Sequence, residues 1–130
     1  MALVEVEFPG GKNVDAKIKG FTVKTDQPIS GGGDDSAPSP FDLFLASIAT
    51  CAGIYAVSFC QSKELNTEGL KLELDAERDQ ETGMIVKMIL DLKLPEGFPD
   101  KYKNAIKKSM ELCTVKKHLV DPPSFEMKLS

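Results

Sequence analysis

The feature that most constrains the fold is one long apolar segment near the middle of the chain, Ser39–Gln61. It is apolar on nearly every face of a helix but is interspersed with small residues, which predicts a buried core helix. Ser39 suits the N-cap, Pro40 suits the first helical position, and Asp42 favours the positive end of the helix dipole. The helix is therefore expected to begin at Pro40.

The same segment carries Ala49, Gly53 and Val57 at four-residue spacing. Residues at this spacing share one face of a helix, so a second backbone can approach that face closely. The segment is long enough to cross a bilayer, but its small residues and the amphipathic strands around it favour burial within protein. We therefore expect no membrane partner.

Charge and composition exclude several classes of partner. A net charge of −4 at pH 7 argues against binding to nucleic acid or to an anionic membrane surface. Residues 1–10 lack the basic and apolar regions of a secretory signal, and three cysteines in such a chain indicate reduced thiols. With 130 residues the chain is long enough for one core, so we expect a cytoplasmic protein with a single domain over 1–130.

Alternation of apolar and polar residues predicts strands on both sides of the helix. Residues 4–8 and 14–18 alternate around a Pro-Gly-Gly turn and predict a β-hairpin, and residues 21–23 predict a third strand. Residues 70–77 and 84–94 predict two further antiparallel strands.

The remaining segments complete an α+β fold, in which curved antiparallel strands wrap long central helices. Apolar residues at three- and four-residue steps predict an amphipathic helix over 99–113. Thr114 is placed to cap a short helix over 114–118, and alternating residues at 125–129 predict a last strand. Residues 27–38 predict a mobile loop, either a connector or a lid.

The residues that carry chemistry are few. The chain has one histidine and one arginine, and no nucleophile elbow accompanies His118, so a Ser-His-Asp hydrolase is disfavoured. Cys113 and His118 would point about 140° apart on a continuous helix, and no CxxC or HxxxH pair supports a zinc site. Glycine-rich phosphate-binding motifs are missing as well. We therefore expect neither a metal nor another cofactor.

Thiol chemistry remains. Lys116 and Lys117 follow Cys113 at helical spacing, so their ammonium groups are placed to stabilise its thiolate. Cys51 and Cys60 lie about 180° apart around the apolar helix. For each cysteine the alternative is a small buried hydrophobe. We assign Cys60 to that alternative.

The segment Pro38–Cys51, PSPFDLFLASIATC, resembles the signature of the OsmC/Ohr superfamily. In that family an N/S-P-x-x-L-x-x-A-x-x-x-x-C stretch opens the central helix. A second family cysteine lies at the end of one helix and the start of another, and Cys113 occupies the corresponding place. The order of strands and helices is similar over essentially the whole chain, so the resemblance implies an OsmC-like fold.

The resemblance also implies an intertwined homodimer, with two equivalent sites at the subunit interface. It implies that Cys51 attacks a small hydrophobic hydroperoxide and becomes a sulfenic acid, and that Cys113 condenses with it into a disulfide. A dithiol reductant then reopens the disulfide. The residues assigned on this basis to the substrate pocket are Phe41, Asp42, Phe44 and Tyr55.

The chain departs from the peroxidase branches of the family at the residues that activate the thiolate. In those branches an arginine activates the cysteine and is held by a glutamate two positions after the Asn or Ser of the motif. Here that position is Phe41, followed by Asp42, and the only arginine is Arg78 on a predicted strand. Without the guanidinium we expect a buried Cys51 to keep a pKa near or above about 8.5.

Two functions are consistent with the resemblance. The first is thiol-dependent reduction of organic hydroperoxides through Cys51 and Cys113. The second is an OsmC-like protein without peroxidase turnover, whose apolar interface pocket binds a small hydrophobic ligand or which acts as a redox-sensitive module. The pH dependence of Cys51 alkylation distinguishes them, since a midpoint below about 7 favours the enzyme and one above about 8.5 favours the binder.

Overall fold

The structure, a computed structural model, describes residues 2–130 and confirms the expected α+β class. Two compact units are distinguished, the first ending at Ala46 and the second beginning at Ser47. The single domain expected over 1–130 stays a prediction, and residue 1 lies outside the described part of the chain.

The first unit contains a three-stranded antiparallel sheet. Its strands, in spatial as well as chain order, are β1 (Glu5–Gly10), β2 (Asn13–Ile18) and β3 (Phe21–Thr25). Ala16 in the middle strand pairs with Val6 on one side and with Val23 on the other, so apolar side chains share one face. The predicted hairpin and third strand are therefore confirmed.

A buried carboxylate organises the loop that follows β3. Asp26 accepts a 2.6 Å hydrogen bond from the Ser36 hydroxyl. Three backbone N–H groups also donate to it, those of Gln27, Asp34 and Ser36. These bonds, led by the one from the Ser36 hydroxyl, lower the pKa of Asp26 to about 2. The loop expected between the third strand and the long helix is present, and the Asp26 carboxylate holds its backbone in place.

The long apolar segment forms one helix, α1 (Pro40–Ser62), as predicted. The Asp42 N–H donates to the Ser39 hydroxyl at 3.1 Å, and the Ser39 N–H donates to the Asp42 carboxylate at 3.0 Å. These reciprocal bonds form a capping box, with Asp42 at the position usually held by Glu or Gln. They confirm Ser39 as the N-cap.

One stripe of α1 is fully buried, and it consists of Ile48, Ala52, Ala56 and Cys60 at four-residue spacing. Other apolar side chains of the helix are half-buried or exposed, as Ile54 is. The sequence predicted that α1 is buried on nearly every face, but within one chain apolar side chains on its other faces are not fully buried. α1 is long and apolar enough to cross a membrane, a property that core helices of water-soluble proteins share.

The second unit contains a two-stranded antiparallel sheet and two further helices. The strands are β4 (Lys71–Arg78) and β5 (Ile85–Lys93), which pair as the alternation predicts. The helices are α2 (Lys103–Met110), which follows a short 3-10 turn, and α3 (Thr114–Val120). All four elements belong to the unit that contains the cysteines.

The core of this unit is centred on Ala56, Cys60 and Ile106, so α1 packs against α2. Half-buried Leu92 and Met110 contact the same cluster. Cys60 is thus a small buried hydrophobe, as expected, and burial raises the pKa of its thiol.

The two short helices differ from the sequence prediction at their ends. α2 ends at Met110 rather than at Cys113, because the backbone of Cys113 is extended (φ −46°, ψ 121°). Cys113 rather than Thr114 is the N-cap of α3, and its sulfur accepts a 3.4 Å hydrogen bond from the Lys116 N–H. α3 continues past His118 to Val120, and the following prolines then exclude helical backbone.

The predicted last strand is wrong for the described chain, in which residues 122–130 form no regular element. Phe125, Met127 and Leu129 are almost fully exposed. A strand requires a hydrogen-bonded neighbour, and the strands of this chain do not pair with the segment.

Candidate active site: the Cys51–Cys113 thiol pair

The structure brings together two cysteines that are far apart in sequence. Cys51 lies in the middle of α1 and is half-buried, whereas Cys113 lies in the turn between α2 and α3 and is 2% exposed. Both are free thiols, and their side chains are hydrogen-bonded to each other. The site therefore contains two adjacent sulfurs, one on a half-buried residue and one on a buried residue.

Hydrogen bonds make Cys51 the more acidic of the two thiols. The largest influence is the backbone N–H of Val115, followed by the Cys113 thiol and the N–H of Thr114. Together they lower the pKa of Cys51 below its ordinary value, although burial opposes them. Donors from α3 thus act on Cys51 where the guanidinium of the peroxidase branches is missing, and the pKa near or above about 8.5 expected for Cys51 stays a prediction.

Cys113 has the opposite character. Burial is the main reason that its pKa is raised, and the neighbouring Cys51 raises it further. The Lys116 N–H partly offsets this rise by lowering the pKa of Cys113. In the hydrogen bond between the sulfurs, Cys113 is therefore the protonated donor and Cys51 is the acceptor that ionises first.

The lysine ammonium groups do not stabilise a Cys113 thiolate as the sequence suggested. Lys116 reaches the Cys113 sulfur through its backbone N–H, at 3.4 Å. Neither Lys116 nor Lys117 contributes a charge interaction to the pKa of Cys113. Lys116 and Lys117 do lie on a helix, but the backbone conformation of Cys113 places the main chain of α3, rather than a lysine side chain, against the sulfur.

The turn that carries Cys113 is anchored on both sides. On the α2 side, Ile106 is buried in the core and Met110 packs beside it. On the α3 side, the Thr114 hydroxyl lies 3.3 Å from the hydroxyl of Tyr55, one helical turn beyond Cys51 on α1. Sequence analysis missed Thr114 and Val115, since their contribution comes from backbone groups that carry no residue-type signal.

The remaining residues assigned to the substrate pocket lie at the start of α1, in the first unit. The rings of Phe41 and Phe44 are 5.5 Å apart, centre to centre. The carboxylate of Asp42 is engaged in the helix cap. Their assignment to a pocket stays a prediction, as does that of Tyr55.

An apolar cavity of about 470 Å³ adjoins the buried member of the thiol pair. Its walls come from α1, β5, α2 and α3, and Cys113 forms part of them. The apolar lining includes Ile48, Ala52, Met88, Leu90, Leu92, Leu94, Ile106, Met110 and Leu119. Charged residues complete the lining: Asp91, Lys103, Lys107, Glu111 and Lys116. A volume of this size suits a small organic molecule.

Other groups that the sequence offered for chemistry are engaged elsewhere. The guanidinium of Arg78 donates to the Gly83 carbonyl at 2.8 Å, within the β4–β5 turn. His118 is bonded through Nδ1 to the Thr114 carbonyl at 2.7 Å. Within residues 2–130, no group of three or more His, Cys, Asp or Glu side chains is placed to hold a metal ion.

Known structures match this arrangement of elements. A protein from Psychrobacter arcticus, whose name refers to osmotic stress and detoxification, is similar with a TM-score of 0.75 at 20% identity, over 90% of this chain and 87% of that one. An OsmC-like protein from Mycoplasma pneumoniae is similar with a TM-score of 0.71 at 14% identity, over 92% and 86%. The organic hydroperoxide resistance protein OsmC of Legionella pneumophila gives a TM-score of 0.55 at 19% identity, over 92% and 90%.

Fold and site together define an α+β protein of the OsmC type that carries a pair of thiols. The sequence profile of the OsmC-like protein family matches residues 32–128, and no curated protein sequence matches significantly. The chain belongs to the OsmC-like family, as the segment Pro38–Cys51 indicated.

Proposed function

We propose that the protein reduces organic hydroperoxides, with Cys51 as the attacking thiol and Cys113 as its resolving partner. The observation that carries the proposal is the hydrogen bond between two free thiols whose pKa values are shifted in opposite directions. A low pKa favours the thiolate, which is the nucleophilic form, and the adjacent Cys113 sulfur is in place to reach the sulfenic acid that forms on Cys51.

The proposed reaction has two steps. The Cys51 thiolate attacks the distal oxygen of the hydroperoxide and the O–O bond breaks. The alkoxide takes a proton from solvent and leaves as the alcohol, and Cys51 becomes a sulfenic acid. The Cys113 sulfur then attacks the Cys51 sulfur, the S–O bond breaks, and the hydroxyl leaves with the Cys113 proton as water. The two thiols have supplied two electrons, and a dithiol restores them by exchange.

One structural relative supports this proposed activity. The Legionella protein is named for organic hydroperoxide resistance, and it shares the fold at 19% identity. Family membership therefore makes hydroperoxides the first substrates to test.

We propose further that the protein is a soluble, cytoplasmic homodimer. Large apolar side chains remain exposed on the described chain, among them Phe8, Phe21, Val86, Phe125, Met127 and Leu129. Large apolar side chains left exposed on a single chain are suited to burial against a partner. A second copy would cover such side chains.

Steady-state consumption of an organic hydroperoxide tests the proposed reaction. With cumene hydroperoxide and dithiothreitol, the wild-type protein is expected to consume peroxide, and Cys51→Ser is expected to lose at least about a hundredfold in rate. Cys60→Ala is the matched control on the same helix, because Cys60 is buried in the core, and it should retain the rate. A Cys51→Ser variant that consumes peroxide as fast as wild type would exclude the proposal.

The cavity beside Cys113 favours a second candidate, the binding of a small hydrophobic ligand without turnover. Its lining is mostly apolar, and its volume of about 470 Å³ is adequate for such a molecule. An apolar fluorescent probe that binds stoichiometrically, to a protein that consumes no peroxide, would favour this candidate. Binding that is lost on Ala52→Leu, which narrows the cavity, would locate the probe there.

A further inference from the structure

Two neighbouring links join α1 to the turn before α3. One is the hydrogen bond between the thiols of Cys51 and Cys113. The other joins the hydroxyl of Tyr55 to the hydroxyl of Thr114 at 3.3 Å. Tyr55 follows Cys51 by one helical turn, and Thr114 follows Cys113 directly, so the two links lie side by side.

The second link holds a residue that itself acts on the reactive sulfur. The backbone N–H groups of Thr114 and Val115 donate to Cys51. Hydrogen bonds weaken steeply when the angle at the donor departs from linearity, so their strength depends on where the first residues of α3 lie. The side-chain hydroxyl of Thr114 is fixed by Tyr55, and its carbonyl is bonded to His118 at 2.7 Å.

We infer that Tyr55 is a positioning residue for Cys51: through the Thr114 hydroxyl it holds the start of α3 where the backbone N–H groups reach the reactive sulfur. The inference rests on the proposed function of Cys51 as the attacking thiol. It gives Tyr55 a role other than lining a substrate pocket. It also supplies a physical substitute for the arginine of the peroxidase branches, since backbone donors must be held rigidly to replace a guanidinium.

Removal of this link at Thr114 leaves the titratable groups near Cys51 unchanged, whereas removal at Tyr55 takes away one phenol. Cys113 is the titratable side chain that acts on Cys51 within the described chain. The charged or titratable side chains of α3 are Lys116, Lys117 and His118, and Glu111 precedes the turn. A shift in the titration of Cys51 that Thr114→Val shares with Tyr55→Phe therefore reports a change in geometry.

The test is the pH dependence of Cys51 alkylation by iodoacetamide in the reduced protein, without peroxide. Tyr55→Phe and Thr114→Val each remove one hydroxyl and keep the shape of the side chain. We expect each to raise the midpoint by about half a unit to one unit, which lowers the thiolate fraction at neutral pH roughly three- to tenfold. The double variant should shift no further than either single variant, because both changes remove one link.

Two controls separate positioning from general loosening of the structure. Tyr102→Phe removes the other tyrosine hydroxyl of the chain, on a ring that packs against Phe59, and should leave the midpoint unchanged. Thr114→Ser keeps a hydroxyl at the turn, so the alkylation midpoint of Cys51 should stay at its wild-type value. Additive shifts in the double variant, or an equal shift in Tyr102→Phe, would overturn the inference.

The outcomes also separate this inference from the proposed function. An unchanged midpoint in both Tyr55→Phe and Thr114→Val, in a protein that still consumes hydroperoxide, overturns the role of Tyr55 and leaves the reaction standing. A raised midpoint in a protein that consumes no hydroperoxide supports the positioning of Cys51 and overturns the reaction.

Discussion

Cys51 and Cys60 lie on opposite sides of one helix, and the structure gives them opposite properties. Cys60 is 0% exposed among apolar side chains, and burial raises its pKa. Cys51 is half-buried, and donors from α3 and Cys113 lower its pKa. The helix is common to both thiols, so the difference comes from what packs against each. A thiol in an apolar helix becomes reactive where another element presents hydrogen-bond donors to it.

The largest expected difference between the two thiols is in their rate of alkylation. In the native protein at pH 7, Cys51 should react with iodoacetamide about a hundredfold or more faster than Cys60, which requires local opening. Peptide mapping after timed labelling measures both rates. The ratio should approach unity in concentrated urea, and a ratio near unity in the native protein would contradict the comparison.

Substitution of Cys60 should destabilise the protein more than substitution of Cys51, although Cys51 is the more reactive thiol. Cys60→Ser places a hydroxyl among apolar side chains and is expected to cost about 1–2 kcal/mol of unfolding free energy. Cys51→Ser lies at a half-buried position and should cost less than about 1 kcal/mol. Urea unfolding of the two variants compares them directly. A larger loss of unfolding free energy for Cys51→Ser than for Cys60→Ser would contradict this ranking.

Removal of the Cys113 donor should make Cys51 more like an ordinary thiol. Cys113→Ala is expected to raise the pKa of Cys51 by about half a unit to one unit, since one hydrogen bond to the thiolate is lost. Cys113→Ser keeps a donor and should shift it less. The alkylation midpoint of Cys51 measures both effects, while the slow labelling of Cys60 serves as the internal reference. Equal shifts in the two variants would assign the effect to the burial of Cys113 instead.

The smallest expected effect is on the pH dependence of stability, where the two thiols have opposite signs. The raised pKa of Cys60 keeps it protonated after the unfolded thiol ionises, so stability falls as pH rises above about 8.5. The lowered pKa of Cys51 adds stability as pH rises from its folded value towards the unfolded one. Urea midpoints between pH 7 and about 9.5 should therefore decline less steeply in Cys60→Ala than in Cys51→Ala. The opposite ranking would contradict the assigned shifts.

The fold was largely predictable from the sequence because its signals are local. The capping box at Ser39 and the alternation in β4 and β5 each depend on residues close together in the chain. The C-terminal segment was predicted wrongly as a strand, since a strand is defined by a neighbour that alternation does not name.

The site was predictable in part. The resemblance carried by Pro38–Cys51 identified Cys51 and Cys113 as a pair, whereas spacing alone left each as a small hydrophobe. The lowered pKa of Cys51 was not predictable, because it comes from the backbone N–H groups of Val115 and Thr114. Their direction depends on the extended backbone at Cys113, which residue types do not specify.

The central claim is that Cys51 and Cys113 form one redox pair, and mapping the oxidised protein tests it most directly. Reduced protein is treated with one equivalent of cumene hydroperoxide, digested without reductant, and analysed by mass spectrometry. The account predicts a disulfide-linked peptide pair containing Cys51 and Cys113, with Cys60 recovered as a free thiol. Recovery of Cys51 and Cys113 as unlinked thiols after the peroxide has been consumed would contradict it.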